Sequence, residues 1–167
     1  EPCNNLSSFK LCNFSLDENY IDHTMFFKHI DLHGVNGIGF YGCNFSLAAT
    51  SGVSPWNNGI ASYSSGFKVD EGCMPPCFSY EPSTFEGFCR AVSAHGYLGT
   101  TYTFEINKAE FANNTIGVYV NDVDYGVITD CDFEIGHENG TCGDCSNPYG
   151  IGIDMQKSNG FAIENND

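Results

Sequence analysis

Basic side chains are scarce. Six Lys+Arg stand against 21 Asp+Glu, for a formal charge of −15 and a pI near 4.3. So few cations cannot neutralise a nucleic-acid backbone, and they argue equally against docking on an anionic membrane surface. No apolar run approaches the roughly 20 residues of a membrane-spanning helix. Leu, Ala, Lys and Glu, the residues that build helices, are few, and Trp and Arg occur once each. What is abundant is Gly (19), Phe (14), Tyr (9), Asn and Asp, the palette of short strands and tight turns. A chain that is 41% hydrophobic and 14% aromatic is not disordered. Nine Cys fit an oxidising exterior better than a reduced cytosol. The number is odd, so at least one thiol is expected to be free or paired outside the chain.

One motif recurs: an apolar residue, two variable residues, a small residue, Asn/Asp/Glu, then Phe. It reads Phe9 to Cys12-Asn13-Phe14, Phe40 to Cys43-Asn44-Phe45, Ile106 to Ala109-Glu110-Phe111 and Ile128 to Cys131-Asp132-Phe133. A fifth copy, Ile163 to Asn166-Asp167, lacks the closing Phe. The starts lie 31, 66, 22 and 35 residues apart, which suggests a unit of 22, three of them across the 66, and insertions elsewhere. Residues 29–45 align without gaps on 117–133. Ile30, Leu32, Val35, Phe40, Cys43 and Phe45 then fall on Val118, Val120, Val123, Ile128, Cys131 and Phe133. Apolar positions alternate in bursts of two or three between Gly, Asn and Asp, the pattern of three-to-five-residue strands joined by tight bends. Repeats of this length cannot bury an apolar face alone and must stack.

On these repeats the chain resembles right-handed parallel β-helix proteins, the group that includes pectate-lyase-like enzymes and many surface adhesins. The match covers residues 26–45 and 100–167. Its aromatic, Cys-bearing coils also resemble repeat segments of large secreted bacterial surface proteins, including those exported by the type IX system. The expected fold is all-β: a right-handed parallel β-helix (solenoid) of six or seven coils over 1–167, with loop insertions at 46–99 and 136–149. Because the chain opens at Glu1 and stops within a repeat, it is expected to be part of a longer chain.

Several constellations carry chemistry. Cys73 with Cys77 and Cys142 with Cys145 are close pairs in the two insertions. They read as local or crossed disulfides, or as a four-thiolate zinc site if both pairs converge, and the composition favours disulfides. Cys12, Cys43 and Cys131 share one inward position and read as packing groups. His29, Asp31 and His33 alternate with Ile30 and Leu32, so all three are expected to face outward, where they could hold a metal. Asp122, Asp124, Asp130 and Asp132 could hold calcium, the one cofactor considered, although the glycine pattern of calcium-binding solenoids is absent. Neither a polygalacturonase-like nor a pectate-lyase-like set of catalytic residues can be assembled.

Loops on a rigid scaffold are where binding resides, so Trp56, Tyr63, Phe78 and Tyr80 are the expected ligand contacts. The expectation is a non-catalytic, extracellular or cell-surface module, a stalk or adhesin segment, that binds a partner or glycan through its loops. Its neighbours would be further coils or domains of the same parent protein. The alternatives are a carbohydrate-active β-helix enzyme (polysaccharide lyase or glycoside hydrolase) and a subunit that polymerises end to end.

Overall fold

The computed structural model describes residues 7–15, 26–47, 57–97, 102–136 and 150–167, which form sixteen strands and no helix. The strands fall into three sheets in strict rotation. Sheet A holds β1 (Ser7–Lys10), β4 (Ile38–Tyr41), β7 (Phe67–Asp70), β10 (Phe104–Asn107), β13 (Val127–Thr129) and β16 (Ala162–Glu164). Sheet B holds β2 (Asn13–Ser15), β5 (Asn44–Ser46), β8 (Ser83–Glu86), β11 (Ala109–Asn114) and β14 (Asp132–Ile135). Sheet C holds β3 (Lys28–His33), β6 (Asn58–Tyr63), β9 (Arg90–His95), β12 (Ile116–Asn121) and β15 (Ile151–Gln156). Each strand pairs in parallel with the strand three later in sequence. This is a right-handed parallel β-helix, the hand that parallel crossovers take. The described residues make five complete windings and the opening strand of a sixth.

The count is lower than the sequence suggests. The 66-residue gap between Phe40 and Ile106 contains two long windings, not three short ones, with Val69 as the intervening row member. The 46–99 stretch is also more regular than its Pro- and Gly-rich composition implies. Strands β6, β7, β8 and β9 all lie in the stack, and Ile60, Val69, Phe85 and Val92 are fully buried.

Inward rows hold the stack together. Phe14, Phe45, Phe85, Phe111 and Phe133 lie one above another on sheet B, with ring centroids 4.7, 4.6, 5.1 and 4.7 Å apart and planes within 8° of parallel. The spacing is that of neighbouring strands, about 4.8 Å, so register alone stacks the rings. Phe40, Val69, Ile106 and Ile128 fill the facing row on sheet A, and Ile60, Val92 and Val118 that on sheet C, all with no exposed surface. Fully burying a side chain of this size contributes about 1.5–3 kcal/mol.

The corners explain the Asn, Asp and Ser content. The bend from sheet A to sheet B places a residue at positive φ in every winding except the one that follows β7: Leu11 (53°), Gly42 (60°), Lys108 (51°), Asp130 (53°) and Asn165 (55°). A similar set follows sheet C: Gly34 (60°), Ser64 (47°), Asp122 (55°) and Lys157 (52°). Gly adopts this region without strain and Asn and Asp tolerate it, whereas Leu, Lys and Ser are held there by the surrounding stack. Corner N–H groups that no strand can satisfy are taken up by side chains of the neighbouring winding. Cys43 N–H donates to Ser83 Oγ (3.1 Å), Phe88 N–H to Asn114 Oδ1 (2.9 Å), Cys89 N–H to Asn57 Oδ1 (2.8 Å) and Cys131 N–H to Asn166 Oδ1 (2.9 Å). Asn114, wholly buried, also donates to the Phe85 carbonyl at 2.8 Å.

Candidate functional site

Between β7 and β8, residues 71–82 leave the stack at the A–B corner and return. Gly72 and Glu81 close the excursion with reciprocal backbone hydrogen bonds of 2.8 and 2.7 Å. Within it, Cys73 and Cys77 form a disulfide, which removes both from any thiolate metal set. At the base, Glu71 pairs with Lys108, whose ammonium that hydrogen bond holds above the usual lysine range. Backbone of Gly72 and Glu81 packs on Gly42 so closely that a Cβ there would meet both within 3.1 Å. The tip presents Met74 (70% exposed), Phe78 (90%) and Tyr80 (59%) to solvent. A covalently closed loop thus displays three large apolar side chains that the fold has no use for. Phe78 and Tyr80 are where sequence reasoning placed ligand contacts. Trp56, Cys142 and Cys145 lie outside the described residues, as do residues 137–149 of the second insertion.

Tyr63 is not on a loop. It is the last residue of β6 and belongs to a ladder of rings on the outer face of sheet C. His33 stacks on Tyr63 at 4.8 Å, Tyr63 on His95 at 5.1 Å, and His95 meets Tyr119 at 5.5 Å. Cations flank the ladder: Lys28 Nζ stands 4.8 Å from the Tyr63 ring centroid and the Arg90 guanidinium 4.1 Å from that of Tyr119. Ser93 Oγ lies 2.9 Å from His95 Nε2. Burial, with help from Arg90 and Lys28, holds the His95 imidazole below its ordinary value. Ser93 itself is buried, and His95 is half-buried. Sequence reasoning missed the ladder because Tyr63 and His95 fall in the stretch that was not aligned. Their shared place at the end of a strand was the available signal.

The two metal candidates are not assembled. Asp31 and His33 do face outward, 3.0 Å apart, and Lys28 takes the other Asp31 oxygen at 3.0 Å. His29 does not join them. Register places it in the row continued by Gly59, Ala91, Gly117 and Gly152, which packs on the Phe ladder. A Cβ on Gly59 would come within 3.0 Å of Phe85, and one on Gly117 within 2.8 Å of Phe133. In the first winding this row has room for an imidazole, 5.1 Å from Phe88 and 6.4 Å from Phe45. Both ring nitrogens are shut from solvent without a hydrogen-bond partner, and burial lowers the pKa to about 4.

The four aspartates are dispersed. Asp122 and Asp130 occupy the positive-φ bends after sheets C and A. Asp124 Oδ1 accepts the Asn159 N–H at 2.8 Å in the next winding, and Asp132 faces outward on sheet B. Among the described residues no three His, Cys, Asp or Glu side chains converge on a point where a cation could bind.

Sheet A carries a shallow groove of about 190 Å3 floored by Gly37, Gly39 and Gly66 and walled by Tyr41, Lys68 and Glu105. Lys68 is committed: it contacts Glu105 at 2.7 Å and Asp70 at 2.9 Å. Burial opposes its charge, but those two carboxylates outweigh that and hold the ammonium above the usual lysine range. No family model, curated protein or solved structure matches this chain.

Proposed function

We propose that the chain is a non-catalytic, extracellular or cell-surface β-helix module of pectate-lyase-like descent. The stack serves as a stiff stalk, and the 71–82 loop docks its apolar tip into a pocket on a partner protein. The single observation that carries this reading is the joint exposure of Met74, Phe78 and Tyr80 on a loop closed by the Cys73–Cys77 disulfide. Closing a loop in advance reduces the ordering cost of association. A convex apolar tip fits a protein pocket better than a sugar, which needs a concave site with converging polar groups. The charge of −15 keeps such a surface soluble until its partner is met.

The test is a binding screen of the intact chain against arrayed extracellular proteins and glycans, run beside Phe78→Ser and Met74→Ser. Burying Phe78 is worth about 1.5–3 kcal/mol, so its loss is expected to weaken a genuine protein ligand about 10- to 100-fold with an unchanged circular dichroism spectrum. Binding partners that tolerate both substitutions equally well would overturn the assignment of the tip. Binding confined to glycans would overturn the protein-docking reading.

A further inference from the structure

We propose that Cys12 and Cys43 are a redox-active pair that closes a disulfide between the first and second windings. The two residues occupy the same corner row on consecutive windings. Asn44 N–H donates to the Cys12 carbonyl at 2.8 Å, and Asn13 and Asn44 are register partners immediately beyond. Both sulfurs lie against the backbone of β1, on successive carbonyls: Cys12 Sγ lies 3.4 Å from the Lys10 carbonyl oxygen and Cys43 Sγ 3.5 Å from that of Phe9. Burial, with a smaller contribution from the neighbouring Cys12 thiol, pushes the Cys43 thiol up. Both are free thiols. Among the described residues Cys131 is the third free thiol; it shares the row but is separated from Cys43 by Ser83 and Ala109, and no described thiol is its register neighbour.

The geometry suits a bond. Register partners on adjacent strands are about 4.8 Å apart, inside the ~4.4–6.8 Å range of Cα separations that a disulfide spans. The Cβ atoms must approach to about 3.5–4.5 Å, a movement of several tenths of an ångström. The first winding can supply it, because among the described residues β1 and β2 are the outermost strands of their sheets, each paired with a strand on one side. The same chain already carries disulfides at Cys73–Cys77 and at Cys89, whose partner lies outside the described residues.

The oxidant is a low-molecular-weight disulfide such as oxidised glutathione. The Cys12 thiolate attacks one sulfur of that disulfide, forms a mixed disulfide and expels one thiolate. Cys12 is half-buried while Cys43 is buried, so Cys12 is the first to react. Cys43 then loses its proton and attacks Cys12 Sγ, expelling the second thiolate. The protein gives up two protons and two electrons, and the small disulfide is reduced to two thiols. Burial pushes the Cys43 thiol up, so this second step is the slow one. The bond would fasten an exposed end winding, in which Phe9 is 40% exposed while its row neighbour Phe40 is fully buried.

The experiment holds the full chain in a reduced/oxidised glutathione buffer, blocks remaining thiols with an alkylating agent and maps the peptides without reduction. A Cys12–Cys43 linked peptide is expected, with Cys131 alkylated. In the same buffer, β1 and β2 amides of the wild type are expected to exchange at least ~10-fold more slowly than those of Cys12→Ser. Recovery of Cys12 and Cys43 as separate alkylated or glutathionylated peptides would overturn the proposal. So would equal exchange in wild type and variant. The peptide map of the wild type decides the chemistry even if the variant folds poorly.

Discussion

Replacing His29 with leucine should remove a defined part of this protein's acid sensitivity. In the folded chain the imidazole lies between Phe45 and Phe88 with neither nitrogen hydrogen-bonded, and its pKa falls to about 4 from the ordinary 6.5. Above pH 6.5 both folded and unfolded chains hold it neutral, and it contributes its full stability. As pH falls from 6.5 towards 4, the unfolded chain takes up a proton that the folded chain refuses, so stability declines. Below about 4 both states are protonated and this group costs nothing further. A shift of about 2.5 units corresponds to a ceiling of about 3.4 kcal/mol. Because the residue is only half-buried, solvent screening brings the expected effect down to about 2 kcal/mol. The assay is urea unfolding followed by far-UV circular dichroism at pH 7.5 and 4.5, for wild type and His29→Leu. The many carboxylates titrate in both proteins, so the difference isolates the imidazole. The stability gap between variant and wild type should widen by about 2 kcal/mol at the lower pH. A gap that stays constant would mean that the ring is solvated or hydrogen-bonded, and the reasoning would fail.

Truncating an inward phenylalanine should cost far more in the middle of the stack than at its end. Phe85→Ala, with rings stacked on both sides, should lose about 3–5 kcal/mol in the same unfolding assay, whereas Phe9→Ala should lose about 1 kcal/mol; equal losses would mean that the rows do not share load as described. Ser64→Gly should stabilise by about 0.5–1.5 kcal/mol, because it relieves a positive φ of 47° and removes a buried hydroxyl without a partner. A lower melting temperature for that variant would contradict the account of the corners.

The regular half of the fold was readable because register is written in like residues. The gapless alignment of 29–45 on 117–133 correctly set Phe45 with Phe133 and Ile30 with Val118, the rows that the pairings follow. The middle windings escaped for one physical reason: a loop was spliced into the motif itself. Val69, Ser83, Thr84 and Phe85 repeat the pattern of Ile106, Ala109, Glu110 and Phe111, but residues 71–82 stand between the second and third letters. His29 was misplaced because strict alternation breaks where sheet C begins, with adjacent His29 and Ile30 both turned inward. The small residues Gly59, Ala91, Gly117 and Gly152 in that row recorded the tightness of the site. The exposure of Phe78 and Tyr80 was legible because an excursion rich in Pro and Cys has no other place for apolar side chains. The outer rings of sheet C were not, since an outward Tyr or His looks like any solvated residue until its vertical neighbours are known.

The excursion at 71–82 departs from the stack and rejoins it without disturbing a single row. Val69 before it and Phe85 after it pair as regularly as any residues in the molecule. Closing a longer segment costs little more than closing a short one, since the entropy grows only with the logarithm of its length. Bends between sheets therefore act as sockets. A foreign peptide spliced at the same bend would inherit a rigid mount while the solenoid beneath kept its thread, so the surface of such a rod can diversify independently of its interior.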